Sequence, residues 1–402
     1  IQTLLGKDNR GGLLTHCFEL MVQGCLATQP RDVLAGMQSA GIWMSRAKEA
    51  LDSLMDIEAK DAKNVKEDAG VGLSTILGKK LLEFRASVID VCWDHPSSAV
   101  VKYTKSLYEA SLDLQIAHPM AEAPPSALKE LRLEIQRSHG AQRPLSKGVC
   151  WKALALIERL PTDVIKQPKN WKTVLSWLLS GLSDRRVASP ASQAVQALIL
   201  SGARARGILA GKKRKKPRRS KRQFGDSKQR PPEPSSADVD AWISTWINEL
   251  AASLLRTHAA GRDRIAKDIV ANCLDRVSGR VFLLLVKALK AMSSERARKD
   301  PESPLFRSLI SIISVARQHG VESIEESWVS TLGETLKAAL TSVEGEVRAS
   351  GLKLVCTSAK AGLCPSELEL QGLREALPVF IKTDSSSERQ QLSHLMGRFI
   401  HR

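Results

Sequence analysis

Apolar residues recur along most of this chain at the three- and four-residue spacing of a helix with one buried face. Leu13, Leu14, Cys17, Phe18 and Met21 open the pattern. Val33, Met37 and Ala40 follow, then Ile42, Trp43, Ala47, Leu51, Leu54 and Met55. This predicts three helices before residue 60, and the charged stretch 58–68 is expected to be a loop. Residues 81–91 carry a further amphipathic pattern. Cys92-Trp93-Asp94-His95-Pro96 should be a turn, because a residue before proline is pushed out of the helical region. The next helix holds Val100, Val101, Leu107, Leu112, Leu114 and Ile116, and residues 128–135 resume after a proline-broken stretch.

The pattern is densest between Lys147 and Ile199. One predicted helix carries Trp151, Leu154 and Ile157 and stops at Pro161; a second carries Trp171, Val174, Leu175, Leu178 and Leu179; a third runs from Ala191 to Ile199. Helices return at Asp240 with Trp242, Ile243, Trp246, Ile247, Leu250 and Leu254 on one face, and continue through 265–274, 281–292 and 305–315. Toward the C-terminus, Val347 runs into Leu352, Leu354 and Val355. Ser366-Glu367-Leu368-Glu369 reads as a capping box. The helix it starts bears Leu370, Leu373 and Leu377 and is expected to end at Pro378, which lacks a backbone donor. A final helix opens at Asp384-Ser385-Ser386-Ser387 with Leu392, Leu395, Met396, Phe399 and Ile400 on one face, and Leu392, Leu395, Met396 and Phe399 are expected to be buried between helix pairs.

No stretch reads as a strand. Amphipathic helices joined by short turns bury their stripes only by stacking on neighbours of the same kind. The expected fold is therefore all-α, an armadillo/HEAT-like helical-repeat solenoid with a disordered basic insertion. Helical-repeat regions at 1–202 and 237–402 would flank a proline-rich linker at 203–236, where no apolar period survives.

Composition sharpens this picture. Of 402 residues 43% are hydrophobic but only 4% aromatic, a balance that favours helices. The longest apolar run, residues 281–286, is far short of the roughly 20 residues a bilayer requires. The seven cysteines form no C-x-x-C pair, which suits buried thiols in a reducing compartment, and the expected location is cytoplasmic. The eight histidines show no metal-binding spacing, so no metal or other cofactor is expected. The chain begins at Ile1, which fits a segment of a longer protein.

Candidate chemistry is sparse. The stretch from Gly70 to Lys80 resembles a phosphate loop, but Leu73 and Lys80 stand where glycine and Ser or Thr are required, and no strand precedes it. No G-x-S-x-G elbow is present, and no catalytic residue is assigned. The net charge of +17 is concentrated: 13 basic residues stand against the single acid Asp226 between Arg204 and Arg230. The densest part comprises Lys212, Lys213, Arg214, Lys215, Lys216, Arg218, Arg219, Lys221 and Arg222, the candidate RNA-binding residues. Such a run attracts phosphate backbones without sequence preference. A nuclear-import signal and a solvated linker are the competing readings.

Several motifs together resemble the thyroid-adenoma-associated (THADA) protein family. Trp93-Asp94-His95-Pro96 with Val100 is similar to its W-(D/E)-x-P segment. Lys147-Gly148-Val149-Cys150-Trp151-Lys152-Ala153-Leu154 resembles its KG-(aromatic)-x-AL helix, and Leu182, Asp184, Ala188, Ala191 and Ser192 fit its LxDxxxAxxAS turn. Glu346-Val347-Arg348-Ala349 and the Asp384–Leu392 helix start resemble its later repeats. The resemblance implies a non-enzymatic solenoid that assists an FtsJ-type methyltransferase in 2′-O-ribose methylation of the tRNA anticodon loop, with tRNA as a second partner. The family's RRSAGLP-like central element is absent, so the chain is expected to be the part preceding it. The basic insertion is not a feature of that family. The alternative is a HEAT/armadillo interaction scaffold of other purpose, in nuclear transport or on an organelle.

Overall fold

The computed structural model describes residues 10–60, 78–117, 127–140, 145–209, 235–321, 335–342, 344–356, 367–382 and 385–400. Every regular element among them is helical, and none is long and apolar enough to cross a membrane. The chain divides into two compact units, Ile1–Leu160 and Pro161–Arg402.

In the first unit α1 (Arg10–Cys25) packs against α2 (Pro30–Lys60), and α2 against α4 (Ser98–Ala117), with α3 at residues 78–92 between them in sequence. The second and third helices expected before residue 60 are one helix of 31 residues. The reason lies in the phase of its stripe. Val33, Met37, Ala40, Met44, Ala47 and Leu51 continue at spacings of three and four and are all buried, whereas Ile42, read as the start of a new face, is 65% exposed. The helix also covers residues 58–60, so the charged stretch begins as helix and not as loop. A π-helical turn, Arg85–Ile89, interrupts α3 and brings Arg85 inward with Val88 and Ile89. α5 (Ala127–Gly140) and α6 (Lys147–Ile157) complete the unit. Ser146 starts α6, its hydroxyl accepting from the Val149 N–H at 3.2 Å.

In the second unit successive helices pair and then stack on the next pair. α7 (Thr162–Ile165), α8 (Lys172–Ser180) and α9 (Ala188–Ala205) are followed after the basic run by α10 (Ser236–Ser244) and α11 (Ile247–Arg256). The single helix expected from Asp240 is broken before Trp246, and the rings of Trp242 and Trp246 meet at 5.5 Å in the core. α12 spans residues 259–276 and contains a π-helical stretch, Ile265–Val270. α13 (Arg280–Met292), α14 (Glu295–Lys299), α15 (Pro304–Gln318), a short α16 at 335–340, α17 (Gly345–Cys356), α18 (Glu367–Ile381) and α19 (Ser386–Ile400) follow. α11 packs on α13 and α15, α15 on α17, and α17 on α19, the next-neighbour stacking of a helical repeat. α8 also packs on α11 and α9 on α12, so helices on the two sides of the basic run share one core.

Two expectations for the C-terminal helices change. Pro378 lies inside α18, which continues to Ile381: the proline is exposed, and the Lys382 N–H still reaches its carbonyl at 3.3 Å. The ring lies on the exposed side of the helix, and the hydrogen bond from Lys382 carries the helix past it. Leu392, Leu395 and Met396 are half-buried rather than core residues. Ser366, Asp384, the side chain of Phe399, residues 70–77 of the phosphate-loop lookalike and residues 210–234 of the expected linker lie outside the described residues.

Candidate nucleic-acid interface

The nine cations from Lys212 to Arg222 also lie outside the described residues. The structure describes the two roots of that run, and both belong to the second unit. On the entering side α9 closes in a Schellman turn. Gly207 takes φ of 72°, a left-handed conformation that a Cβ would strain. The Gly207 N–H donates to the Arg204 carbonyl at 3.0 Å and the Ile208 N–H to the Ala203 carbonyl at 2.9 Å, with Ile208 buried beneath. Arg206 Nη2 then donates to the Lys166 carbonyl at 2.6 Å, tying this end of α9 to the turn after α7. On the returning side the Ser235 hydroxyl accepts from the Asp238 N–H at 3.2 Å and starts α10. Trp242 lies over Gly202, where a Cβ would come within 3.2 Å of its ring. The run thus leaves and re-enters close to one body.

A second fastening crosses the same interval. Glu249 on α11 accepts from Ser176 at 2.5 Å and pairs with Lys172 at 3.2 Å, both on α8. Partial burial raises the Glu249 carboxyl, but the hydrogen bonds from Ser176 and Lys172 outweigh it and hold the group below the usual carboxylate range. At the entering root Lys166, Arg204 and Arg206 are all exposed. Lys166 stands about forty residues before the run in sequence and carried no signal of its own. Only the fold, through the bond from Arg206 to its carbonyl, brings it to the base of the run.

The first unit holds the most concentrated buried charge. Arg85 donates to the Ser111 hydroxyl at 2.9 Å and lies 3.7 Å from Glu130, which also accepts from Tyr108 at 2.9 Å. Lys152, on the KG-type helix α6, pairs with Asp90 and lies 3.7 Å from Glu134. Burial first, then the Glu130 charge, lifts the Tyr108 phenol well above its ordinary range. These groups line a cavity of about 250 Å³ walled partly by Leu82 and Leu133. The arrangement joins α3, α4, α5 and α6 by charge-assisted bonds. Its neighbour is the contact of Trp93 with Gly148, where a Cβ would come within 2.6 Å of the indole. Two motifs more than fifty residues apart in sequence are therefore one packing unit. Among the described residues no cluster of three His, Cys, Asp or Glu side chains could hold a metal.

Stacked helix pairs define a helical-repeat protein, with a basic run rooted on one of its bodies. Residues 242–402, rather less than half of the chain, match the family model described as Trm732, TPR repeats, which links the chain to a family associated with tRNA modification. The matched stretch begins at the buried Trp242 and covers α11 to α19. No curated protein and no solved structure matches the chain.

Proposed function

We propose that the chain is a non-catalytic scaffold that assists an FtsJ-type methyltransferase in 2′-O-ribose methylation of the tRNA anticodon loop. The match of residues 242–402 to the Trm732 repeats carries this reading. The THADA-like motifs at Trp93, Lys147-Gly148 and Asp184 support it from outside the matched stretch. The FtsJ type of the partner and the anticodon-loop target come from that resemblance. The helical surface holds the enzyme, and the run Lys212 to Arg222 contributes sequence-independent attraction for tRNA.

The test is reconstitution with purified components. The chain alone should transfer no methyl group to tRNA, and the partner enzyme alone should act weakly. The two together should methylate the anticodon loop and co-purify. Methyl transfer by the chain alone, or no capture and no stimulation of the enzyme, would refute the proposal.

A further inference from the structure

A cleft of about 220 Å³ in the second unit opens between α12, α15 and α17. Arg262, Arg307 and Lys353 line it, with Asp263, Ser311 and Glu346 beside them. Arg262 is buried and donates to the Thr257 carbonyl at 2.7 Å, while Arg307 is exposed at the mouth. Asp263 is already engaged: it accepts from Ser311 at 2.9 Å and lies 3.7 Å from Lys267. Among the described residues neither Arg262 nor Arg307 forms an ion pair with a carboxylate. Desolvation, and next the charge of Arg307, hold the Arg262 guanidinium below its ordinary range, against a smaller opposite pull from Asp263. A buried cation facing a second cation without a counter-ion is costly. An anion entering the cleft would relieve that cost.

We propose that this cleft is a seat for one backbone unit of RNA, its phosphate taken by Arg307, Arg262 and Lys353 and the neighbouring ribose 2′-hydroxyl donated to Glu346. The assignment rests on the proposed role in tRNA modification and adds a contact point to it. A planar guanidinium presents paired donors that fit two phosphate oxygens, and a lysine adds a point charge. The exposed carboxylate of Glu346 on the same rim selects among polyanions. Acidic peptides and DNA would meet Glu346 only as repulsion, whereas RNA brings a hydroxyl donor next to each phosphate.

The experiment measures binding of an unmodified tRNA transcript, and of a DNA oligonucleotide of the same sequence, to the full chain and its variants across a salt series. Arg307→Gln/Lys353→Gln removes two exposed cations and should leave the helical circular-dichroism spectrum and thermal midpoint in place. Arg262 is spared because its bond to Thr257 is structural. The double variant should bind tRNA roughly tenfold more weakly, and the slope of log Kd against log salt should flatten by about 1–2. Glu346→Gln should narrow the preference for RNA over DNA. Unchanged tRNA affinity and slope in the double variant, or no tRNA binding by the wild type, overturns the seat. Equal losses on RNA and DNA, with Glu346→Gln tightening both, overturn the ribose assignment. If the chain stimulates the methyltransferase while the double variant binds tRNA normally, the seat fails and the scaffold stands. If stimulation is absent while the double variant loses tRNA, the reverse holds.

Discussion

The two compact units solve the same packing problem with different materials. The first joins four helices around buried charge: Arg85, Lys152 and Glu134 sit inside beside the half-buried Glu130, and Tyr108 on α4 bonds across to Glu130 on α5. The second unit stacks helix pairs on Trp171, Trp242, Trp246, Phe282, Phe306 and a dense set of isoleucines and leucines, all essentially inaccessible. Apolar stacking is non-directional, so it tolerates repetition and insertion and can be extended pair by pair. A buried ionic network is directional and exacting: each charge needs its partner, and removal of one leaves the other stranded. The unit that carries the basic insertion and matches a repeat family is the one built mainly from the tolerant material, although it too buries Arg262, Arg317 and Arg348.

The largest effect should come from the apolar core. Trp242→Ala would open a cavity between α10, α11 and Gly202 on α9, and should cost about 3–5 kcal/mol, read as a fall in the thermal midpoint. Hydrogen exchange should show the loss spreading through the second unit while the first keeps its protection. Equal loss in both units would erase the contrast.

The ionic core should behave differently. Arg85→Met takes the ion pair from Glu130 and the donor from Ser111, and should cost about 2–3 kcal/mol, less than a fully buried pair because Glu130 is only half-buried. The double change Arg85→Met/Glu130→Gln should recover most of that, because the stranded charge is gone. A double variant as unstable as the sum of its parts would mean the network acts through packing alone.

The smallest effect is set by pH. Burial pushes the thiols of Cys25 and Cys150 from 9.0 up to about 12, lifts Cys92, and lifts Tyr108 well above 10.0. Each such group keeps its proton in the folded state where the unfolded chain has lost it. Its contribution is therefore complete below the unfolded value and is lost as pH rises through the folded one. In the second unit Cys273 shares this shift, again to about 12. Pulse proteolysis at about pH 7.5 and about pH 10.5 should show the first unit opening earlier at the higher pH. Matching sensitivity in both units would remove this difference.

Much of the fold was legible because apolar spacing is a local property. The stripes at Trp171 to Leu179, Val281 to Leu289 and Leu305 to Val315 became helices α8, α13 and α15 with their apolar faces inward. The errors arose where a local rule met a tertiary circumstance. Pro378, on the exposed side of its helix, fails to stop it, and Ile42 marks no new helix because the buried face continues past it. Leu395 is half-buried although its spacing matches that of fully buried leucines. Of the candidate site, the sequence showed the charge density of Lys212 to Arg222. It gave no sign of Arg262, Arg307 and Lys353, which are scattered over more than ninety residues and look like ordinary surface cations.

By itself the sequence determined that the described part of this chain is built from helices, that those helices are amphipathic, and that the excess charge sits in one run. Periodicity, turn residues and charge clustering act between near neighbours, so they can be read without a fold. Only the tertiary structure decided that helices on the two sides of that run share a core, that Trp93 rests on Gly148, and that Arg262 faces Arg307 without a carboxylate partner. Those are contacts between distant residues, and their energies depend on which surfaces stacking removes from water.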